Sequence, residues 1–457
     1  MGGLSRRLTK IHEHTSETNW LVVESANFAW KSNQIIEAKL PQQRRKVEFI
    51  LDTFGQLGIA AVGLGEGESA LGMSWVVHSA KDRNVPVIAS NMKCEGLEIP
   101  MVAFHNINEL TVGIMSVVRE AASIEGCQIA PVEQSVKDIQ AQHTNTDIWI
   151  VLSMLSEAEQ LTLTENVSDI DFLIDGYTKA LLDKPKPLSN DSLRLSVGSR
   201  GKYFGVLDVH TENADLGHQL HETLDYFEGE VKRIEGRLKT IKKIQSSDEK
   251  ALARQARRLK FFTAELEKAE AALAAHSSKK PTGNTATLLK IGLSKEVADH
   301  PATLSDLNMA LQDIERLANA DSVEPYNGPF VGSSACQSCH SKIYEQWATT
   351  AHAHAWTTLI NEKRAFDLEC FACHSTGAHH PEGPQHPKQL GALVGVGCES
   401  CHGPGQDHIN APMANNIQRT AEESLCITCH DGVKDEGRFD FEQYYPKVVH
   451  ANEDSGD

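Results

Sequence analysis

The sequence predicts a layered α/β domain with an inserted antiparallel helical hairpin, followed by a mostly α and irregular region. Three observations carry this prediction. Through residue 212, short apolar runs alternate with stretches of helical periodicity. Between residues 213 and 277, Glu, Lys, Arg, Ala and Leu dominate, with apolar residues three and four apart. From residue 330 onward the chain turns to Cys, His, Gly and short loops, and one five-residue pattern recurs four times.

In order, residues 4–14 have the pattern of an amphipathic helix and residues 20–24 that of a short buried strand. Residues 42–57 are helical, 59–63 a strand, 69–81 helical and 85–90 a strand. Residues 101–118 suit two strands. A helix at 132–142, a strand at 147–152, a helix at 156–164 and strands at 170–174 and 202–208 complete the series. In the hairpin, Leu220, Leu224, Phe227, Val231, Ile234, Leu238 and Ile241 form one seam, and Leu252, Leu259, Phe262, Leu266, Ala269 and Leu273 continue it. Residues 245–248 have turn and N-cap chemistry. The hairpin either covers its own apolar stripe or pairs with a second copy, so a homo-oligomer is an open expectation. Residues 277–284 read as a loop, 285–293 as a strand returning to the first domain, and 302–318 as a helix capped by Thr303 or Ser305. The expected domains are 1–212 plus 285–320, the hairpin 213–277, a linker 321–330 with two prolines and a glycine, and 331–457.

The chain has 457 residues and a formal charge of -18, which argues against nucleic acid as a partner. The acidity favours solubility or steering toward a basic partner. No apolar run approaches the length of a membrane span.

The repeated pattern is Cys336-Gln-Ser-Cys339-His340, Cys370-Phe-Ala-Cys373-His374, Cys398-Glu-Ser-Cys401-His402 and Cys426-Ile-Thr-Cys429-His430. Cys-x-x-Cys-His is the attachment signature of c-type haem: two thiols form thioethers to the haem vinyls, and the adjacent histidine ligates iron from the proximal side. Zinc sites built from paired Cys-x-x-Cys would not require a histidine after every second cysteine. Four covalent haems, bound through eight of the ten cysteines, are therefore expected. They would supply most of the apolar surface of a region with little side-chain core. Trp347 and Trp356 suit either porphyrin packing or an ordinary core. Cys94 and Cys127 lie outside the motifs and could pair in an oxidising compartment, but sequence does not set their distance.

The region resembles the tetrahaem cytochrome c554 family. The matching stretches run from Gly332 through Trp347-Ala-Thr-Thr-Ala-His352-Ala-His354, over Cys370 to Gly377, from Gly395 to His408, and at Tyr445-Pro-Lys-Val-Val-His450. Of eleven histidines in this region, seven are not proximal. The resemblance implies His352, His408 and His450 as distal ligands, to haems other than the nearest in sequence, with His354 as substitute for His352. For the remaining iron, one of His379, His380 and His386 is the ligand, or the iron is five-coordinate. Bis-histidine ligation makes a closed electron carrier, and an open position admits small-molecule chemistry.

The first domain resembles the calcineurin-like metallophosphoesterase domain of bacterial 5′-nucleotidases. Gly2-Gly3-Leu4-Ser5-Arg6-Arg7 is similar to the family's "GGLAR" helix, and the resemblance places a first strand with Asp-x-His ligands upstream of Met1. The remaining ligand positions are altered. Asn27 stands for the bridging aspartate, Glu66 and Gly67 for an Asn-His pair, and Met154 for a strand-end histidine. Residues 175–179 replace a histidine-bearing motif without any histidine. A dinuclear phosphatase needs converging oxygen and imidazole ligands. The fold is therefore expected without the phosphatase chemistry. A different metal site from Glu24, Asn27, Glu66 and Glu68 is the less favoured alternative to solvated loop carboxylates.

These readings predict a periplasmic or cell-surface electron carrier working with redox partner proteins, with the first domain as docking or assembly platform. The rivals are an oxidoreductase acting on a small nitrogen or sulfur compound at an open haem, and a redox-gated phosphohydrolase. Haem attachment of this kind implies export, yet no apolar segment follows Arg6-Arg7, so an export signal is expected to be missing from this sequence.

Overall fold

A computed structural model describes residues 2–15, 19–178, 180–199, 201–212, 218–220, 224–242, 249–275, 283–431 and 439–450. The chain forms two compact units, residues 1–35 with 50–304 and residues 36–49 with 305–457.

In the first unit, six strands form the main sheet, in the order Lys186–Pro187, Leu193–Leu195, Phe172–Asp175, Ile148–Met154, Leu110–Val118 and Val102–Ile107. The four central strands are mutually parallel, and the outer two pair antiparallel. Both faces are buried. Val112, Ile114, Ile148, Leu152 and Phe172 pack with Ala61, Ile88, Ala286 and Leu288 of two smaller sheets. The alternate residues Met115, Val117, Trp149, Val151 and Leu173 pack against Val136 and Ile139 of the helix Val132–Gln142 and Leu163 of Glu157–Asn166. A parallel sheet covered on both sides shows continuous apolar runs rather than alternation, which is how these strands read in sequence.

The smaller sheets are Val23–Glu24, Ala61–Gly63 and Val87–Ile88, all parallel, and Tyr203–His210, Thr285–Gly292 and Gln219–Leu220. The return strand pairs along its whole length with Tyr203–His210, from Tyr203 opposite Gly292 to His210 opposite Thr285. The helices Leu224–Lys242 and Glu249–Ala275 pack antiparallel: Arg237 lies over the Phe262 ring, and Gln255 Nε2 donates to the Ile241 carbonyl. Ile234, Leu238 and Ile241 fill the seam. The expected turn at 245–248 lies outside the described residues.

Several local expectations need correction. The strand expected at 20–24 shrinks to Val23–Glu24, which is only half-buried because it pairs with a single neighbour. The helix expected at 69–81 is two helices, Glu66–Ser69 and Met73–Lys81. They are divided at Gly72, whose φ of 92° suits a residue without Cβ. The helix at 302–318 runs Pro301–Ala320, and neither Thr303 nor Ser305 caps it; Pro301 fixes the start one turn earlier. The two-stranded sheet Met92–Cys94 with Cys127–Ile129 is too short to show a period in the sequence. It sets Cys94 directly opposite Cys127, and the two form a disulfide.

In the second unit, secondary structure after Ala320 is sparse. Short helices run Ser341–Ala348, Ala355–Asn361, Leu368–Phe371, Glu399–His402, Gln406–Asn410, Glu423–Cys426 and Phe441–Tyr444. Phe330, Phe371, Leu390 and Leu393 form its small apolar cluster.

Candidate haem centres

Three of the motifs close one tight helical turn, and the second runs from the helix Leu368–Phe371 into the 3-10 turn Ala372–His374. The N–H of His340 donates to the Cys336 carbonyl, that of His402 to Cys398 and that of His430 to Cys426. This brings two thiols and an imidazole to one side of each turn. The eight motif cysteines form no disulfide.

Two of the proximal imidazoles are oriented through Nδ1. His374 Nδ1 lies 2.7 Å from the Ala355 carbonyl, and His402 Nδ1 lies 2.6 Å from the Gln418 carbonyl. A carbonyl at Nδ1 fixes the proton there and leaves Nε2 as the ligating nitrogen. His408 is held the same way, with Nδ1 2.9 Å from Asn416 Oδ1 and 3.1 Å from the Met413 carbonyl. Phe439 stacks on the His430 ring at 4.6 Å.

The rings then pair across motifs. His340 faces His408 with ring centres 6.5 Å apart and planes at 17°. His352 faces His430 at 6.3 Å, and His402 faces His450 at 5.8 Å. These rings are too far apart for direct stacking. A metal–nitrogen bond of about 2 Å on each side sets two ligating imidazole centres roughly 6 Å apart. The ring-centre separations of the three pairs lie close to that value. None joins a proximal histidine to the nearest candidate after it in sequence: His352, twelve positions beyond His340, faces the fourth motif instead. Burial first, and the neighbouring His430 second, hold His352 below the usual histidine range, in the neutral form that a ligand requires.

No histidine ring among the described residues pairs with His374 in this way. His354 is exposed at the start of the helix Ala355–Asn361. His380 accepts from the Glu382 N–H at 3.2 Å and lies edge-on to Phe330. His386 caps a short turn through Nδ1, with Nε2 3.7 Å from Asp321. His379 Nε2 lies 3.5 Å from Cys373 Sγ, in a group with Cys429.

The motifs adjoin one another in a definite order. Cys336 of the first and Cys398 of the third share a hydrogen bond, which raises the former thiol, with burial adding to it, and lowers the latter to about 6 against the effect of burial. Cys401 of the third is pushed to about 11 by burial and then by Cys426 of the fourth. Cys373 of the second, Cys429 of the fourth and His379 bring their side-chain ligand atoms within 4.8 Å of one another. The contacts run first–third–fourth–second.

Sequence reading missed three residues that build this region. Glu399, inside the third motif and 3 % exposed, accepts from the N–H groups of Val331, Gly332 and Gly405. Its signal was a carboxylate within an attachment motif flanked by glycines. Gln42 and Lys46 contact residues 366–369 beside the second motif. A separation of some 320 residues leaves no local trace.

In the first unit, the altered ligand positions are satisfied by the chain itself. Asn27, at a φ of 65°, accepts from the Gly67 N–H at 2.7 Å. The fully buried Glu68 carboxylate accepts from Asn27, Ala29 and Gly65 N–H groups at 2.8–3.0 Å. Glu24 pairs with Arg7 at 2.6 Å, and Glu66 accepts from the Ser123 N–H. Asp175 is paired with Arg194 at 2.6 Å, and Met154 lies against Gly176. Glu68 thus ties two loops together. Glu68→Ala is expected to destabilise the protein by about 2–4 kcal/mol by orphaning three donors. A denaturant midpoint equal to that of the unaltered chain would contradict this.

Among solved structures, the chain is similar to a Thermus thermophilus sulfate thiohydrolase, SoxB (10% identity, 73% of this chain and 49% of that one, TM-score 0.45). It is also similar to the calcineurin-like phosphoesterase YfkN of Bacillus subtilis (13% identity, 69% and 90%, TM-score 0.44). A cytochrome c-554 of Nitrosomonas europaea is 37% identical over 98 residues, 18% of this chain. That match spans 41% of the relative's length. With paired cysteines, proximal histidines and facing rings in place, residues 335–403 match the family described as cytochrome c554 and c-prime, which makes c-type haem the cofactor of this region.

Proposed function

We propose that this protein is an exported multihaem cytochrome that carries electrons between redox partner proteins through four covalent haems. The supporting observation is the set of three facing histidine pairs at separations that suit an intervening iron. Haem, when bound, supplies the one-electron chemistry. The chain's own residues fix its placement. Cys336, Cys339, Cys370, Cys373, Cys398, Cys401, Cys426 and Cys429 attach it, and His340, His374, His402 and His430 are proximal ligands. His408, His450 and His352 are the distal ligands for the first, third and fourth motifs. The contact order first–third–fourth–second supports a continuous relay with the second motif at one end. Residues 1–212 with 285–320, and the hairpin 213–277, serve as the docking or assembly platform.

A second reading has one specific observation behind it: His374 lacks a facing histidine among the described residues. An open second haem would admit a small nitrogen or sulfur compound and make the protein an oxidoreductase.

Electron paramagnetic resonance of the oxidised full-length holoprotein, with haem counted in parallel, tests both. Three low-spin haems and one high-spin haem are expected, with the high-spin signal shifting on addition of cyanide or nitric oxide. Four low-spin signals would leave the relay and remove the oxidoreductase. Fewer than four haems per chain would overturn the relay.

A further inference from the structure

Among the described residues, the second attachment motif is the one without a facing histidine and the one contacted by a buried lysine. The helix Leu40–Leu57 presents Gln42 and Lys46, one turn apart and therefore on one face, to residues 366–369. Both are almost fully buried, at 4 % and 5 % exposure. Gln42 Nε2 donates to the Phe366 carbonyl at 2.8 Å, and Gln42 Oε1 accepts from the Leu368 N–H at 3.0 Å. Lys46 Nζ lies 2.7 Å from Asp367 Oδ1 and 3.1 Å from Glu369 Oε2. Asp367 is the N-cap of the helix Leu368–Phe371, which carries Cys370. Its other oxygen lies 3.5 Å from Arg364, whose Nη1 is 3.9 Å from Cys370 Sγ.

We propose that Lys46 is a positioning residue for the second haem and that its buried charge sets that haem's reduction potential above the value the site would otherwise have. This rests on the second motif holding a haem whose iron keeps an open position. A cation held out of water beside a haem favours the reduced form, because reduction removes positive charge. Water screens such a charge little when it is buried. The fully buried Asp367 and the 36 % exposed Glu369 oppose this field and Arg364 adds to it, so removing the Lys46 charge alone leaves the carboxylates in excess beside the motif. Burial alone would lower the Lys46 ammonium and raise the Asp367 carboxyl. Their mutual attraction outweighs it in both, so both stay ionised across the neutral range. A lysine here would thus hold electrons at the end of the relay where a small ligand has access.

The test is a redox titration of the full-length holoprotein, following the high-spin haem separately. Lys46→Met is expected to shift that haem's midpoint to lower potential, and Asp367→Asn to higher potential. Lys46→Arg should stay close to the unaltered protein. Opposite shifts distinguish a field from mere loosening, which would move both variants the same way. Shifts in the same direction, no shift in either, or equal shifts in all haems would overturn the proposal. A holoprotein with no haem on Cys370 and Cys373, or with four low-spin haems, would instead overturn the reading on which it rests.

Discussion

Replacing His408 by alanine in the holoprotein is expected to convert one haem from low-spin to high-spin and leave the others unchanged. The converted haem should be the first, attached at Cys336 and Cys339. His408 lies opposite His340 because the helix Gln406–Asn410 starts at Gly405, whose N–H is fixed to Glu399. The His408 ring is then locked by Asn416 and the Met413 carbonyl, and its plane lies 17° from that of His340. Losing one of two imidazoles removes roughly half of the axial ligand field, which is a change of spin state rather than a shift of degree. The same logic applies to His352, with a different haem affected. His352→Ala and His430→Ala should perturb one and the same spectral component, since the two rings face each other at 6.3 Å. An unchanged spectrum for His408→Ala would mean that the histidine is a surface residue. A His352→Ala effect on the haem of His340 would mean that ligands follow sequence proximity.

The attachment motifs were legible because covalent chemistry demands contiguous residues: two thiols one turn apart and a histidine beside the second. The α/β elements were legible where a run was long enough to show a period, as at Val132–Gln142 and Ile148–Met154. Three-residue strands such as Met92–Cys94 carry too few residues to do so. The identity of His352, His408 and His450 as candidates came from resemblance, and their pairing is a property of the folded chain alone. Lys46 was invisible for a related reason. On an amphipathic helix a lysine reads as a solvated residue, and only the fold reveals that its partner is Asp367, 321 positions away.

Glu399→Ala is expected to cost about 3–5 kcal/mol of stability. The carboxylate receives the Val331 N–H at 3.0 Å and the Gly332 and Gly405 N–H groups at 2.7 Å. Hydrogen bonds to a charged acceptor contribute roughly 1.5–3 kcal/mol each, and the three are not additive because they share one group. Truncation leaves buried donors that the packed backbone cannot expose. A Cβ on Gly405 would lie 3.0 Å from Glu399 Oε1, and one on Gly332 2.6 Å from the Ala392 carbonyl. The close approach thus depends on glycine at both positions. Glu399→Gln keeps one acceptor oxygen and loses the charge, so the denaturation midpoint of the holoprotein should fall in the order Glu, Gln, Ala. The consequence reaches the haem site, because Gly405 starts the helix that carries His408. Glu399→Ala should therefore also show part of the high-spin conversion expected of His408→Ala, whereas loosening elsewhere in the chain should not. A variant that melts like the unaltered protein and keeps a fully low-spin first haem would show that Glu399 neither stabilises the third motif nor positions the ligand of the first.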